Sequence, residues 1–147
     1  MQIRLAESAG DVRRIAPLFD AYRRFYGADS DPQGALAFLL ERWRLRESVL
    51  FAACDGETPV GFVHLYPLFL SVEMRRLWLL NDLYVSPDAR GGGVGRALMR
   101  RAELHARETG AAGLTLSTAA DNLTAQGLYE SESYVRDVKF LVYNRTL

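Results

Sequence analysis

The sequence predicts an α/β fold with a mixed central sheet, and three observations carry that expectation. Apolar residues alternate in some segments and recur at helical three- and four-residue spacing in others, in the order β-α-α-β-β-β-α-β-α-β. Three strand-like segments follow one another through turns before a helix crosses over, which reads as an antiparallel meander joined to a crossover. The chain has 147 residues, 49% of them apolar and 24% charged, enough for one domain spanning 1–147 with a proper core.

Each element has its own signal. Gln2 to Leu5 alternates briefly as a strand. Ser8 or Asp11 can cap a helix to about Phe25, with Val12, Ile15, Leu18, Phe19 and Tyr22 on its apolar side; Pro17 predicts a kink or a later start. Gly27 to Pro32 reads as a loop, and a second helix starts at Pro32 and runs to about Leu45. Val49 to Cys54 is a strand, Asp55-Gly56-Glu57-Thr58 a hairpin turn, Val60 to Phe69 its partner strand and Met74 to Val85 the next. Beyond Ser86-Pro87-Asp88, a helix is expected from about Gly93 to Thr109, ended by Gly110. Leu114 to Ser117 reads as a short strand, Asn122 to Glu130 as a helix and Val138 to Tyr143 as a last strand.

Composition excludes several function classes. The 18 basic and 18 acidic side chains cancel, so no whole-domain attraction to nucleic acid or anionic membrane is expected. Cys54 is the only cysteine, which leaves no intrachain disulfide and no thiolate metal cluster. No metal site is expected elsewhere. The longest charge-free run, Thr58 to Val72, holds two prolines and is shorter than the ~20 residues a spanning helix needs. Met1-Gln2-Ile3-Arg4 lacks the apolar stretch of a signal peptide, so a cytoplasmic protein is expected.

The most informative segment is Leu83-Tyr84-Val85-Ser86-Pro87-Asp88-Ala89-Arg90-Gly91-Gly92-Gly93-Val94-Gly95-Arg96. A strand ends, glycines make the turn and a helix begins. Backbone amides can face inward there without Cβ obstruction, and the helix N-terminus adds about half a positive charge. That combination suits a diphosphate, with Arg90 and Arg96 flanking it for charge-assisted bonds. A Walker loop is excluded because no lysine or hydroxyl follows the glycines. A dinucleotide fingerprint has Gly91 and Gly93 but meets Arg96 at its third glycine, and no acid ends the following strand. A bare structural turn needs fewer glycines than four in five positions.

Arg90-Gly91-Gly92-Gly93-Val94-Gly95 matches [RQ]-x-x-G-x-[GA] and resembles the acetyl-CoA pyrophosphate loop of the GNAT superfamily of N-acetyltransferases. Asn122-Leu-Thr-Ala-Gln-Gly-Leu-Tyr129-Glu is similar to the family's second motif. Asn81-Asp82-Leu83-Tyr84-Val85 and Lys139 to Tyr143 look most like the histone and polyamine acetyltransferase branch. Ser133 before Tyr134 departs from the family, which usually has glycine there. The resemblance implies a GNAT-type acyl-CoA N-acyltransferase fold and transfer of acetyl from acetyl-CoA, a co-substrate, to a primary amine. The acceptor would be a small amine, an amino acid, a polyamine or a protein lysine. The other reading is an acyl-CoA sensor without efficient turnover. By resemblance, Leu83 and Val85 bond the pantetheine through main-chain groups, and the Leu83 N–H meets the acetyl oxygen. Gly91, Gly92, Gly93, Val94 and Gly95 bind the pyrophosphate, Asn122 bonds the pantetheine arm, and Tyr129 protonates the departing sulfur.

The base is not supplied by the resemblance. Leu79 and Asn81 occupy the positions where members often carry glutamate, and neither takes a proton usefully. Asp82 is the only carboxylate in its strand, an expected base or cation anchor, although alternation points it to the other face unless a bulge intervenes. His64 reads as a satisfied core histidine, His105 as a surface residue, Cys54 as core, and no Ser-His-Asp set is expected. The Tyr26 to Pro32 loop, the Pro67 to Arg75 turn and the tail are expected to wall the substrate, with Tyr22, Tyr26, Tyr66, Phe69, Trp78 and Tyr84 as aromatic surface. Arg75 and Arg76 are candidates for holding a carboxylate. Both faces of the last strand are largely apolar, which predicts a homodimer that covers or exchanges it.

Overall fold

A computed structural model describes all residues from Met1 to Leu147. The chain divides into two compact units, Met1–Ser117 and Thr118–Leu147.

The first unit is a five-stranded sheet in the order β1-β2-β3-β4-β5, formed by β1 (Gln2–Leu5), β2 (Val49–Asp55), β3 (Thr58–Leu70), β4 (Arg75–Val85) and β5 (Leu114–Thr115). The first four strands are antiparallel, and β5 runs parallel to β4. Helices α1 (Ala9–Phe25) and α2 (Pro32–Arg44) cover one face. Their Val12, Ile15, Phe19 and Leu39 form one core with Leu50, Ala52 and Phe62. Helix α3 (Val94–Glu108) covers the other, because Phe51 alternates away from Leu50 and Ala52 and meets His105 of α3.

Local chemistry explains the helix starts. Ser8 caps α1 in a full capping box, its side chain accepting the Asp11 N–H while the Asp11 carboxylate accepts the Ser8 N–H. Pro17 sits inside α1 without ending it, on the exposed side where the carbonyl it leaves unpaired meets water. Asp31 caps α2 through the Gly34 N–H, with Pro32 in the first turn. No helix is long and apolar enough to cross a membrane.

The second unit holds α4 (Leu123–Ser131), capped by Asn122. The expected last strand is corrected here: Val138 to Tyr143 forms none. The Asp137 carboxylate accepts the N–H groups of Lys139 and Phe140 at 2.9 and 3.2 Å, a local turn that takes donors a ladder would need. Val138, Phe140, Leu141, Val142 and Tyr143 are all exposed.

Candidate active site

Strand β4 organises the site because its two edges differ. Its ladder with β3 runs from Leu70↔Arg75 to Gly61↔Val85, whereas its ladder with β5 holds only Trp78↔Leu114 and Leu79↔Thr115. From Leu80 onward the outer edge of β4 has left β5. A bulge decides which groups that edge presents. Trp78 donates its N–H to the Gly113 carbonyl on the β5 side (3.1 Å), yet Ser86 donates to Val60 on the β3 side (2.9 Å). Two residues an even number apart face the same edge of a regular strand, so the phase changes between them. It changes at Asn81, which the register passes over between Leu65↔Leu80 and His64↔Asp82. Beyond the bulge, the main-chain groups of Leu83 and Val85 point to the open edge. The side chains of Asp82 and Tyr84 join His64 and Phe62 on the α1/α2 face.

Where β4 ends, a single 3-10 turn (Pro87–Ala89) leads into the glycines. Gly91 and Gly93 hold φ of +82° and +80°, and a Cβ on either would meet no atom within 4 Å. Gly93 is the N-cap of α3, and no side chain bonds the helix end. The first-turn amides of Val94 and Gly95 are thus without intrahelical acceptors, the positive end of the helix dipole lies behind them, and the space a Cβ of Gly91 or Gly93 would take is open. Arg96 stands in the same first turn. Arg90 donates Nε–H to the Val85 carbonyl (2.9 Å) and lays its guanidinium over the rings of Tyr84 and Phe25. Gly61 is a position that periodicity alone does not single out. A Cβ there would sit 2.9 Å from the Tyr84 carbonyl oxygen and 3.3 Å from side-chain atoms of Val94 and Leu98. Its bare backbone lets the start of α3 lie close against β3 and β4.

On the α1/α2 face the structure assembles what the sequence reading did not expect, a hydrogen-bonded serine, histidine and aspartate. His64 Nδ1 lies 3.0 Å from Asp82 Oδ2, and His64 Nε2 lies 2.7 Å from Ser48 Oγ. All three residues are buried. The second carboxylate oxygen, Oδ1, accepts from Asn81 Nδ2 at 3.0 Å. The Tyr66 ring stands 4.8 Å from the His64 ring, and burial, followed by the Asp82 charge, pushes its phenol up to about 12. His64 is thus the satisfied core histidine expected.

His105 is a correction, because its ring does not face solvent. Leu98, Ala102 and His105 recur at four and three residues on one side of α3, which turns the ring under the sheet against Phe51 and Trp78. Its Nε2 is buried without a partner, and burial holds its pKa below the usual imidazole range. Trp78 therefore belongs to the α3 face and not to an aromatic wall around Asp82. Arg75 donates to the Gly110 and Ala111 carbonyls, and Arg76 lies over Phe69 and Trp78, so both guanidinium groups already have partners. The Tyr26 to Pro32 loop is tied down by Asp20, which accepts from the Asp31 N–H and the Ser30 hydroxyl at 2.7 Å each. Those two bonds, the Asp31 N–H first, hold the Asp20 carboxyl below the usual range.

Within the second unit, Asn122 Oδ1 caps α4 by accepting the Ala125 N–H (3.1 Å). Tyr129 is half-buried, with its ring 6.2 Å from that of Tyr134. Ser133 holds φ of +69°, the left-handed conformation a glycine adopts without strain.

A mixed sheet opened at its fourth strand, with an amide cradle where that strand passes into a helix, defines the acyltransferase class of α/β proteins that the glycine turn resembles. The chain belongs to the Acetyltransferase (GNAT) family, whose model matches residues 15–133, and it is an acetyltransferase. It is 46% identical over 143 residues to "Uncharacterized N-acetyltransferase YhfO" of Bacillus subtilis (strain 168), covering 97% of this chain and 95% of that one. A crystal structure of "a probable acetyltransferase" is 39% identical, with a TM-score of 0.94 over 100% of this chain and 98% of that one. The ribosomal-protein-alanine N-acetyltransferase of Brucella melitensis biovar Abortus 2308 shares the fold at 23% identity, with a TM-score of 0.79 over 99% and 100% of the two chains.

Proposed function

We propose that the protein moves an acetyl group from acetyl-CoA to a cationic primary amine by direct attack on the thioester. The observation that carries this reading is the uncapped start of α3 behind Gly91 and Gly93, set at the end of a strand whose outer edge has left its neighbour. A diphosphate suits that cradle: the first helical turn supplies amides without intrahelical acceptors, and no Cβ of Gly91 or Gly93 fills the space beside it. The amides from Gly91 to Gly95 hold the pyrophosphate, with Arg90 and Arg96 adding positive charge. The main-chain groups of Leu83 and Val85 bond the pantetheine. The Leu83 N–H stabilises the developing oxyanion.

Direct transfer needs a neutral amine, so the acceptor ammonium gives one proton to a base before its lone pair attacks the carbonyl carbon. The C–S bond then breaks, and the thiolate takes a proton. Asp82 is the base or cation anchor, Tyr129 the acid at sulfur and Asn122 a partner of the pantetheine arm. Among amines, the carboxylate of Asp82 with Tyr66 and Tyr84 on the same face favours a polyamine, small amine or lysine over a carboxylate-led ligand. Acetyl-CoA titration by calorimetry, followed by free-thiol release with an amine panel, tests donor and acceptor in turn. Binding without thiol release from any amine would leave only a sensor. Tyr129→Phe is expected to lower turnover by roughly 100-fold with acetyl-CoA affinity unchanged, the range of a lost general acid. If affinity falls and turnover does not, Tyr129 is a packing residue.

The partner we infer is a second copy of this chain. Its support is the exposed run from Val138 to Tyr143, in which Lys139 is the only residue that is not apolar, together with the short β5 ladder. Light scattering at micromolar concentration should give a two-fold dimer for the full chain and a monomer for a chain ending at Asp137. A monodisperse full-length monomer would remove the idea.

A further inference from the structure

Ser48 and His64 have no part in the reaction as written above, yet they are buried polar groups joined to one that does. Ser48 comes from the connection between α2 and β2, His64 from β3 and Asp82 from β4, so the network crosses three neighbouring segments. Serine, histidine and aspartate in this order usually make the serine the reacting end. Here the geometry reverses that. Ser48 immediately precedes β2, two strand spacings, or roughly 10 Å, from β4. Asp82 instead adjoins Leu83, whose main chain faces the open edge. Both Asp82 oxygens carry a donor, Asn81 on Oδ1 and His64 on Oδ2, and the Asn81 bulge turns this carboxylate to the α1/α2 face.

We propose that Ser48 and His64 are positioning residues that aim the Asp82 carboxylate at the ammonium group of the acceptor amine. The proposal rests on the acetyl-transfer reading above. The Ser48 hydroxyl donates to Nε2, which places the ring proton on Nδ1, and Nδ1–H donates to Oδ2. The carboxylate is then fixed in direction by two bonds. One N–H proton of the ammonium passes to an Asp82 oxygen, and the freed nitrogen pair forms the N–C bond as C–S breaks. The other titratable or charged groups on this face near the network are Tyr66 from β3, Tyr84 from β4, Arg42 from α2, and Glu47 beside Ser48. Arg42 is occupied by Glu41 and Glu47, and α1 presents the Phe19 ring to His64.

The test compares pH profiles of thiol release from acetyl-CoA, using whichever of spermidine, tyramine, L-lysine and an alanine-initiated peptide the wild type acetylates fastest. His64→Phe keeps a ring but removes the donor to Oδ2. It should move the acid limb of kcat/KM upward by about one pH unit or more and raise the KM for the amine. Ser48→Ala should shift the limb the same way by less, and His64→Asn, whose amide can replace Nδ1–H, should restore most of the wild-type limb. Acetyl-CoA affinity by calorimetry should stay unchanged in all three. If His64→Phe does not fold, the Ser48→Ala and His64→Asn pair decides: an upward shift in the first and its absence in the second supports the role. Lower thermal stability with the limb and KM unmoved overturns it and leaves a structural network only. A wild type that binds acetyl-CoA but acetylates none of these amines overturns the acceptor reading and the role of Asp82 with it. That pattern differs from active transfer with an unmoved limb.

Discussion

The molecule's two histidines lie on opposite faces of one sheet and differ in what meets their nitrogens. His64, on the α1/α2 face, stands among Phe19 and Tyr66 and has a polar partner for each ring nitrogen. His105, on the α3 face, stands against Phe51 and Trp78, and its buried Nε2 has none. Aromatic surroundings are therefore common to both, and hydrogen-bond satisfaction separates them. A buried polar group whose partners are supplied can serve chemistry at no net loss, whereas an orphaned one lowers stability. The α3 face accordingly serves as a packed support for the glycine cradle, and the α1/α2 face holds the side chains able to move a proton.

This division predicts that lesions on the α3 side are read as binding or stability, not as altered proton chemistry. The largest effect is expected at Gly93. Gly93→Val places a β-branched side chain at φ +80° in the space proposed for the diphosphate. Calorimetry should show acetyl-CoA affinity reduced by about 100-fold or more, a factor that corresponds to ~2.7 kcal/mol. Undiminished affinity would break the contrast by moving the diphosphate elsewhere. Gly61→Val comes next. Its side chain meets the Tyr84 carbonyl, Val94 and Leu98 together, and should cost about 2–3 kcal/mol in urea unfolding, with weaker donor binding as α3 lifts. An unchanged urea midpoint would mean that α3 is not held as closely as its contacts imply.

The smallest effect sharpens the comparison of the histidines themselves. Because the folded pKa of His105 lies below its unfolded value, the unfolded chain takes up a proton that the native chain does not. No penalty exists well above the unfolded value of about 6.5, and stability is lost as pH falls from there through the folded pKa. His105→Leu removes both that loss and the orphaned nitrogen. Thermal melts should show a gain of about 1 kcal/mol at pH 8 and a widening advantage below pH 6.5. Equal acid sensitivity in the two proteins would assign the loss to another group.

The elements that could be read from the sequence are those decided within a few residues. The Ser8 and Asp11 capping box, the Asp31-Pro32 start of α2 and the Asn122 cap of α4 each depend on a side chain reaching a nearby amide. The glycine turn was legible for the same reason, since Gly91 and Gly93 carry their own backbone freedom. The link from His64 to Asp82 and Ser48 was not, because it depends on how three separate segments align, and that alignment includes the residue passed over at Asn81. His105 was misread because a polar letter on a helix suggests solvent, although its spacing from Leu98 and Ala102 already placed it on the buried stripe. The run from Val138 to Tyr143 has a strand's composition. A strand also needs a neighbour, and Asp137 engages its first amides locally.

The irregularity at Asn81 acts on β4 as a frameshift acts on a reading frame. Every residue after it is displayed on the surface opposite to the one that strict alternation from Arg75 would assign. Were Asn81 paired regularly instead of passed over, the site would be inverted, with Asp82 and Tyr84 turned toward α3 and the main-chain groups of Leu83 and Val85 turned inward to β3, whereas removing Asn81 outright would leave Asp82 opposite His64. Pairing and deletion at this position should therefore have opposite fates. The Asn81 side chain also donates to Asp82 Oδ1, so it steadies the carboxylate that the passed-over residue leaves on the α1/α2 face. Across relatives that share this geometry, the spacing between the Trp78 position and the glycine turn is expected to differ by one residue according to whether the bulge is present.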